Sequence, residues 1–544
     1  MAQLILGPLL RYTDERDATV WVETDSPCEV AVLGRRTSTF HVSGHHFALV
    51  IIEGLDPGAS VPYAVTLDGV GRWPVPGGSM PPSRIGSVDP ERGLRLVFGS
   101  CRVAAPHEEP WILERTQDRQ GHGVDALAAL AHRMRDQLPE EWPSLLVMLG
   151  DQVYADAASP ETRAFIRSRR STRQPPGEDV ADFEEYTRLY REAWGAEPMI
   201  RWLLSTVPSA MIFDDHEVID DWNISAAWKR EMVARPWWAE RIAGAFMSYW
   251  LYQHIGNLSP GELREDRLYA QVRGVQDGGP LLREFALEAD RTTSGSRWSY
   301  SRRLGRSQLV VIDSRAGRLL QPGRREMVDD EEWRWVDDHL HGDVDHLLIA
   351  TSLPFLLPPA IHDLEAWNEA LCAGVWGAAA ARLAERLRRA IDLEHWASFR
   401  WSFERLVETL RNIAAGERGR PPASIVVLSG DVHYAYLAQA EFPDQQFETK
   451  LYQAVCSPFR HSLDPPLELA NKIAFSRVAG RIGGLVARSA RLPRPAIRWR
   501  MKHGPSFDNE IATLEMHGRD AWLRLERTPP GELRLDRAEE ARLT

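Results

Sequence analysis

The sequence feature that most constrains the fold is a series of short apolar runs that alternate with helical patterns from Leu94 onward. Each run has the length of one buried strand, and the segments between several of them have the apolar period of a helix. Strands that alternate with helices predict an α/β domain built around a largely buried sheet. The runs are "LRLVFGS", "SLLVMLG", "SAMIFD", "QLVVID", "HLLIATS" and "SIVVLSG", and the clearest helical pattern is "VDALAALAHRMRDQL".

Five of these runs end in polar residues of the same chemical kind. In an open α/β sheet, ligand sites form outside the carboxyl ends of the strands. Carboxylates gathered there repel one another and have raised pKa values unless a cation holds them together. The mixture of aspartate, histidine, cysteine and tyrosine therefore predicts more than one metal ion. The residues at the five ends are Cys101 with Arg102, Asp151 with Tyr154, Asp214 to Glu217, Asp313 with Arg315, and Asp431 with His433.

Each strand end also has a simpler interpretation when it is taken alone. A Gly-Asp pair after a strand is often only a turn or a helix cap, and a single cysteine there is usually a small core residue. Turn chemistry does not readily produce five such ends in register after strands of one sheet. We therefore favour a functional metal site.

The remainder of the chain predicts a small domain before the α/β domain and a meander at its end. The first 70 or so residues contain short β-branched and aromatic runs between Asp, Gly and Pro turns, which is typical of a small β-sandwich. We predict a β-sandwich over residues 1–75, a Pro- and Gly-rich linker over 76–93, and a catalytic domain over 94–544. Long helical patterns at 228–254 and 378–415 lie outside its sheet, and "EIATLEM", "AWLRLER" and "ELRLDR" predict three final strands.

Composition excludes several classes of protein. The formal net charge of -12 over 544 residues argues against a chain that binds nucleic acid as a whole. The four cysteines, Cys28, Cys101, Cys372 and Cys456, have no CxxC spacing, so a disulfide framework is not expected and a reducing compartment is allowed. No signal peptide and no apolar run long enough to span a membrane is found. We therefore expect a cytoplasmic protein without a transmembrane segment.

The motifs "GSCR", "GDQVYAD", "IFDDHEVIDDWN", "VVIDSR" and "LSGDVHYAY" resemble those of the PhoD-like (alkaline phosphatase D) family of calcineurin-like metallophosphoesterases. The resemblance follows the motif order through most of the chain, although many members of that family are exported. It implies a layered α/β/β/α catalytic domain preceded by a small, fibronectin-III-like β-sandwich. It also implies that Asp151 bridges two metal ions and that His216 lies beside the substrate phosphate. The further ligands that it implies are Cys101, Tyr154 and His433 for one ion, and Asp215 and Asp431 for the other.

The chemistry of these donors predicts two different ions. A thiolate, a phenolate, an imidazole and a carboxylate are strong donors that suit a trivalent transition ion, whereas carboxylate oxygens suit calcium or manganese. We expect Fe3+ and Ca2+, with Mn2+ or Zn2+ as alternatives. Two such ions can bind phosphate oxygens and lower the pKa of a shared water, which then attacks phosphorus.

The function implied is hydrolysis of phosphate monoesters or diesters by a metal-bridged hydroxide. His216 is the candidate to protonate the leaving oxygen. Arg102 and Arg315 are candidates to neutralise the phosphate oxygens, although each could instead pair with carboxylates in a structural network. A phosphodiesterase directed at phospholipids or nucleotides remains an alternative. A binding or scaffold protein on the same fold is disfavoured, because no implied ligand has been lost.

Residues 472–503 stand out because they carry nine Lys or Arg residues and no Asp or Glu. The simpler interpretation, which we favour from the sequence, is a helix that packs on the catalytic domain with a solvated basic face. The alternative is a contact with a polyanionic substrate or an anionic lipid surface. On a helix, the basic face consists of Arg477, Arg481, Arg488 and Arg491, and an adjoining apolar face consists of Val478, Ile482 and Leu485.

Overall fold

The computed structural model describes residues 1–321, 323–461, 463 and 465–544. The N-terminal region consists of short antiparallel strands. They form sheets in the orders β1-β2-β6-β5 and β4-β3-β8-β9, and β10 pairs with β7. The strands are β1 (Leu4–Thr13), β2 (Asp17–Thr24), β3 (Glu29–Val32), β4 (Arg35–Ser38), β5 (Phe40–Val42), β6 (His45–Glu53), β7 (Ser60–Pro62), β8 (Val65–Leu67), β9 (Val70–Trp73) and β10 (Arg84–Gly86).

Strand β2 shows how this region is held on both sides. Val20 and Val22 point into the core between the two N-terminal sheets. Trp21 points the opposite way, as side chains of a strand alternate, and its ring centroid lies 5.2 Å from that of Tyr252 in the following region. The β-sandwich therefore packs firmly against the rest of the chain.

Part of the segment predicted as a linker forms a strand. Arg84 to Gly86 pair antiparallel with Ser60 to Pro62, and the Arg84 side chain donates a hydrogen bond of 2.8 Å to the Ser60 hydroxyl. A three-residue strand among prolines and glycines is too short to give a recognisable apolar pattern. The β-structure of the N-terminal region thus extends to Gly86.

The following region contains two larger sheets and many helices. Its strands are β11 (Leu94–Gly99), β12 (Leu145–Leu149), β13 (Ser209–Ile212), β14 (Tyr300–Leu304), β15 (Ser307–Val311), β16 (Leu319–Gln321), β17 (Arg324–Glu326), β18 (His346–Ala350), β19 (Ser424–Ser429), β20 (Ala435–Glu441), β21 (Lys450–Val455), β22 (Arg498–Ser506), β23 (Glu510–His517), β24 (Asp520–Arg527) and β25 (Asp536–Arg542). Its helices are α1 (Ala126–Arg135), α2 (Pro160–Arg169), α3 (Phe183–Gly195), α4 (Pro198–Thr206), α5 (Ala226–Val233), α6 (Trp238–Ser248), α7 (Ile255–Asn257), α8 (Pro260–Glu265), α9 (Arg267–Gly274), α10 (Gly279–Arg291), α11 (Asp330–His339), α12 (Pro359–Cys372), α13 (Ala378–Ala390), α14 (Arg400–Ala414), α15 (Pro465–Ala474) and α16 (Arg477–Ser489). Short 3-10 turns cover Pro139–Glu141 and Trp396–Ser398, and a π-helical turn covers Tyr249–His254.

The two larger sheets lie face to face. One has the order β13-β12-β11-β23-β24-β25, and the other has the order β14-β15-β18-β19-β21-β20-β22. Along β15, Leu309 and Val311 join the core shared with the first sheet, whereas Val310 points to the core formed with α11 and α14. This layering confirms the predicted α/β/β/α fold. Strands β23 and β24 confirm the first two strands of the predicted meander, whereas β25 begins only at Asp536, so most of the predicted strand "ELRLDR" lies before it.

The long helical patterns are confirmed as helices. The first pattern, 228–254, contains α5, α6 and the π-helical turn with a break at 234–237, and the second, 378–415, contains α13 and α14 with a break at 391–399. The most apolar stretch, Ile242 to Gly256, is buried. None of the helices described is both long enough and apolar enough to cross a membrane.

Candidate metal centre

The ends of strands from both large sheets meet at one edge of the catalytic domain. Strands β11, β12 and β13 run parallel in the first sheet, and β15, β18 and β19 run parallel in the second. Across the two sheets, the Cys101 sulfur lies 3.6 Å from the Asp431 carbonyl oxygen. The backbone N–H of Asp431 donates to the Ser100 hydroxyl at 3.0 Å. These contacts bring together the predicted strand ends at Cys101 and Asp431.

The backbone at this edge is unusual in a way that aims side chains into the site. Four residues other than glycine have left-handed φ values: Cys101 (57°), Asp151 (55°), Asp431 (67°) and His433 (56°). Such a conformation is unfavourable for residues with a Cβ atom and clusters at functional sites. Gly150 turns the chain before Asp151, and a Cβ atom there would lie 2.5 Å from that of Asp214.

A buried glutamate ties two of the turns together. The Glu217 carboxylate accepts backbone N–H groups from Asp151 at 3.0 Å, Gln152 at 2.8 Å and Asp214 at 2.8 Å. These bonds satisfy donors that the tight turns would otherwise leave unpaired. Burial raises the pKa of Glu217 to about 7. Glu217 thus fixes the loops that follow β12 and β13.

The first group of donors combines a thiol, a carboxylate, an imidazole and a phenol. Ligand atoms of Cys101, Asp151 and His433 all lie within 4.8 Å of one another, and the Cys101 sulfur lies 3.3 Å from Oδ2 of Asp151. Tyr154 is also buried, with its ring centroid 4.7 Å from that of His216. Burial is the main cause that raises the pKa values of Cys101 and Tyr154 well above their usual range. We call these four residues the thiol half of the site.

The second group of donors is made of carboxylates and overlaps the first. Asp214, Asp215 and Asp431 have ligand atoms within 4.8 Å of one another, as do Asp151, Asp215 and His216. Asp151 and Asp215 each belong to two clusters, so the clusters form one continuous set of donors. We call Asp214, Asp215 and Asp431 the carboxylate half.

Buried atoms without partners indicate that these donors fit metal ions. In the described part of the chain, Oδ1 of Asp151, the Tyr154 hydroxyl and Oδ2 of Asp214 are buried without a hydrogen-bond partner. Burial, followed by repulsion between neighbouring carboxylates, raises the pKa values of Asp151 and Asp214 well above their usual range. A cation would bind these oxygens and favour their charged form.

The two predicted arginines have different surroundings. Arg315 is fully buried and forms ion pairs with Asp214, with Asp215 at 3.3 Å and with Asp431 at 3.4 Å. Its guanidinium therefore lies within the carboxylate half. It also pairs with Glu394, which the sequence interpretation missed.

Arg102 is directed away from the donors. Its guanidinium pairs with Asp125 at 2.7 Å and donates to the Ala193 carbonyl at 2.7 Å. Asp125 in turn caps the N-terminus of α1. Of the two roles predicted for Arg102, this geometry favours the structural network. Asp313 has a similarly local role, because its carboxylate accepts backbone N–H groups of its own loop.

His216 is held by a partner that fixes its ring. Its Nδ1 lies 2.9 Å from Oδ2 of Asp156, whereas Nε2 lies 3.9 Å from the nearest paired carboxylate, that of Asp220. Burial alone would lower the pKa of His216, but Asp156 and Asp151 raise it well above its usual value. Asp156 lies within the quoted motif "GDQVYAD", although no role was predicted for it.

Two further histidines of the site were missed. His395 Nε2 lies 3.1 Å from Oδ2 of Asp431, and its Nδ1 lies 2.6 Å from Oε1 of Glu365. Burial would raise the pKa of Asp431, yet His395 and Arg315 lower it to about 2. The ring of His461 lies 4.1 Å from that of His433. His395 follows a helix, and His461 comes six residues after the end of β21, so neither lies directly after an apolar strand.

The PhoD-like family model and the solved structure of PhoD agree with this architecture. Residues 128–458 match the family model of the PhoD-like phosphatases, and residues 1–85 match a domain of unknown function, DUF7800. A solved structure of PhoD is 12% identical, with a TM-score of 0.57 over 99% of this chain and 90% of that chain. A dimetal phosphatase from Danio rerio is 11% identical, with a TM-score of 0.33 over 83% of this chain and 98% of that chain. No curated protein sequence matches the chain.

The fold, the donor clusters and the family match together define a metal-dependent phosphoesterase. The chain belongs to the PhoD-like phosphatase family, whose model covers more than half of its length. The resemblance inferred from the motifs is therefore confirmed.

Proposed function

We propose that the chain hydrolyses phosphate monoesters, phosphodiesters or both at a centre of two metal ions. The observation that carries this proposal is the overlap of the donor clusters, in which Asp151 is shared between groups that also contain Cys101 or Asp215. A carboxylate with two oxygen atoms in this position can bind an ion on each side. All six ligands implied by the motifs are present, and a scaffold protein would not need to keep them.

The two halves of the site suit different ions. The thiol half offers sulfur, phenol, imidazole and carboxylate donors, which suit Fe3+, with Zn2+ or Mn2+ as alternatives. The carboxylate half offers only oxygen atoms, which suit Ca2+ or Mn2+. The residues proposed as ligands are Cys101, Asp151, Tyr154 and His433 for the first ion, and Asp151, Asp215 and Asp431, with Asp214 within reach, for the second.

We propose separate roles for His216 and Arg315 beside the metal ions. Two bound cations would supply a water of lowered pKa and neutralise charge on the phosphoryl group. We assign His216 to protonate the leaving oxygen, because Asp156 holds Nδ1 and leaves Nε2 for this proton. Arg315 holds the carboxylate half in place through its ion pairs.

Paired substrates and metal removal test this proposal. Purified protein would be assayed with p-nitrophenyl phosphate as the monoester and bis(p-nitrophenyl) phosphate as the diester. We expect hydrolysis of at least one, its loss on chelation, and its recovery only when iron and calcium are both returned. The ratio of the two rates ranks monoester against diester. Activity that survives complete removal of metal would contradict the proposal.

A further inference from the structure

Helices α15 and α16 expose an unusual number of large aliphatic side chains. Within the residues that the structure describes, six of the eighteen exposed large hydrophobic side chains fall between positions 467 and 485. Soluble proteins rarely expose contiguous apolar patches without a binding role. On α15 these are Leu467, Leu469 and Ile473; on α16 they are Val478, Ile482 and Leu485, which share one face and which we call the aliphatic ridge.

The orientation of α16 is fixed by small residues on its opposite face. Gly483 and Ala487 are its buried residues. A Cβ atom at Gly483 would lie 3.1 Å from the Cα atom of Ala360 on α12, so the two helices approach closely. Val478, Ile482 and Leu485 lie on the far side of the helix from this contact, at spacings of four and three residues. The packing against α12 therefore leaves these aliphatic side chains outward.

Charge identifies the kind of surface that this face would contact. The segment 472–503 contains nine basic and no acidic residues, although the whole chain has a net charge of -12. Arg477 and Arg481 are exposed beside the aliphatic ridge, and neither forms an ion pair within the described residues. Helices with an apolar face flanked by arginine lie in the interface of anionic membranes. A nucleic acid would bind the arginines through its phosphates, but it would not bury the aliphatic ridge.

The helix pair stands beside the metal centre. The ring of Phe475, between the two helices, lies 5.6 Å from that of Tyr434, which directly follows His433. Pro465, the first residue of α15, comes four positions after His461, whose ring contacts that of His433. A surface bound by the ridge would therefore lie close to the site.

We infer that α15 and α16 dock the protein on membranes rich in anionic phospholipid. The aliphatic ridge enters the headgroup region, and Arg477 and Arg481 contact the lipid phosphates. This inference concerns binding alone, and it does not depend on the proposed hydrolysis.

Vesicle cosedimentation tests the docking. The full chain would be mixed with vesicles of phosphatidylcholine alone or of equal parts phosphatidylcholine and phosphatidylglycerol. We expect binding only to the anionic vesicles. The double variant Arg477→Gln/Arg481→Gln should bind roughly 30-fold more weakly at low salt, as two arginines near a membrane contribute about 1 kcal/mol each. The triple variant Val478→Ser/Ile482→Ser/Leu485→Ser should lose binding at low salt and at high salt.

A matched control uses exposed residues at the opposite end of the first sheet. Leu138 and Arg92 are both exposed and lie just before β12 and β11, and Leu138→Ser/Arg92→Gln should bind like the wild type. Equal binding to neutral and anionic vesicles would overturn the inference. So would an unchanged affinity of the serine variant, or binding of duplex DNA in place of vesicles. Cosedimentation measures binding and does not depend on catalysis. The result could therefore be interpreted even if the proposed hydrolysis were wrong.

Discussion

The thiol half and the carboxylate half of the site differ in how the protein compensates their charge. Within the described residues, no lysine or arginine forms an ion pair with Asp151, and burial lowers the pKa of His433 to about 4. In the carboxylate half, by contrast, Arg315 is fully buried among Asp214, Asp215 and Asp431. Among the described residues, an arginine therefore pairs with the carboxylate half only, while the thiol half has the His216 imidazole nearby.

This difference indicates what each half requires from a metal ion. The Oδ1 atom of Asp151 is buried without a hydrogen-bond partner among the described residues, which disfavours the charged carboxylate. The thiol half therefore depends on an ion to complete it. The carboxylate half is partly neutralised by a guanidinium and should bind its ion more weakly. We therefore expect a tightly held ion in the thiol half and an exchangeable one in the carboxylate half.

The largest effect should come from the residue that the halves share. Asp151→Asn keeps the shape of the side chain but removes the charge that we assign to both ions. We expect activity to fall on the order of a thousandfold or more, with an unchanged far-UV circular dichroism spectrum. Asp338, an exposed aspartate on α11, gives the matched control Asp338→Asn, which should be fully active. Near-normal turnover by Asp151→Asn with metal still bound would remove the bridging role.

Replacing Arg315 should lower the stability of the metal-free protein, whereas a replacement in the thiol half should not. Arg315→Gln leaves the carboxylate half without its internal cation, so metal-free protein should lose about 3 to 5 kcal/mol of unfolding free energy. Added calcium should recover part of this loss, because it binds the folded state. Denaturant unfolding with and without calcium measures both effects.

Tyr154→Phe is the matched variant in the thiol half. Its hydroxyl has no hydrogen-bond partner among the described residues, so the metal-free stability should stay near that of the wild type. Equal metal-free stability of Arg315→Gln and wild type would contradict the difference drawn between the halves.

The thiol half should also have its own spectroscopic signal. A phenolate or a thiolate bound to ferric iron gives a charge-transfer absorption, so we expect a coloured protein that bleaches on reduction. The band should shift or disappear in Tyr154→Phe and Cys101→Ser, and activity should fall at least roughly tenfold. The matched substitutions Tyr12→Phe and Cys372→Ser lie outside the site and should keep the band. A colourless, iron-free and fully active enzyme would refute the assignment of Cys101 and Tyr154 as iron ligands.

The smallest effect should come from His395, which touches the carboxylate half through Asp431 alone. We expect His395→Gln to weaken calcium activation roughly tenfold, because outer partners orient metal ligands. The charge-transfer band of the thiol half should stay unchanged, which a general loss of structure would not allow. Titration of activity with calcium, alongside the visible spectrum, measures both. An unchanged calcium requirement would show that His395 does not position Asp431.

The sequence predicted the parts of the site that follow strands. Cys101, Asp151 and Asp431 each come directly after a buried apolar run, so their position at strand ends predicts that they lie together. The sheet order that brings β11 and β19 together is long-range, and no local pattern specifies it. The predicted α/β/β/α layering therefore came from the motif resemblance.

Contacts from loops could not be predicted in the same way. His395 and Glu394 lie between helices α13 and α14, where neither strand pattern nor spacing marks them. The different roles of Arg102 and Arg315 depend on which carboxylate each guanidinium reaches in space. In both sequence contexts, "GSCR" and "IDSR", the arginine follows closely after a buried strand. The exposed aliphatic ridge likewise depended on how α16 packs on α12, so periodicity alone favoured a solvated basic face.

The metal content of the purified chain tests the central claim most directly. Protein prepared without chelator would be analysed for iron, calcium, manganese and zinc, before and after extensive dialysis. We predict two ions per active chain before dialysis, and after it one retained ion that is lost in Cys101→Ser. An active wild-type chain that contains one ion or none would contradict the two-metal centre.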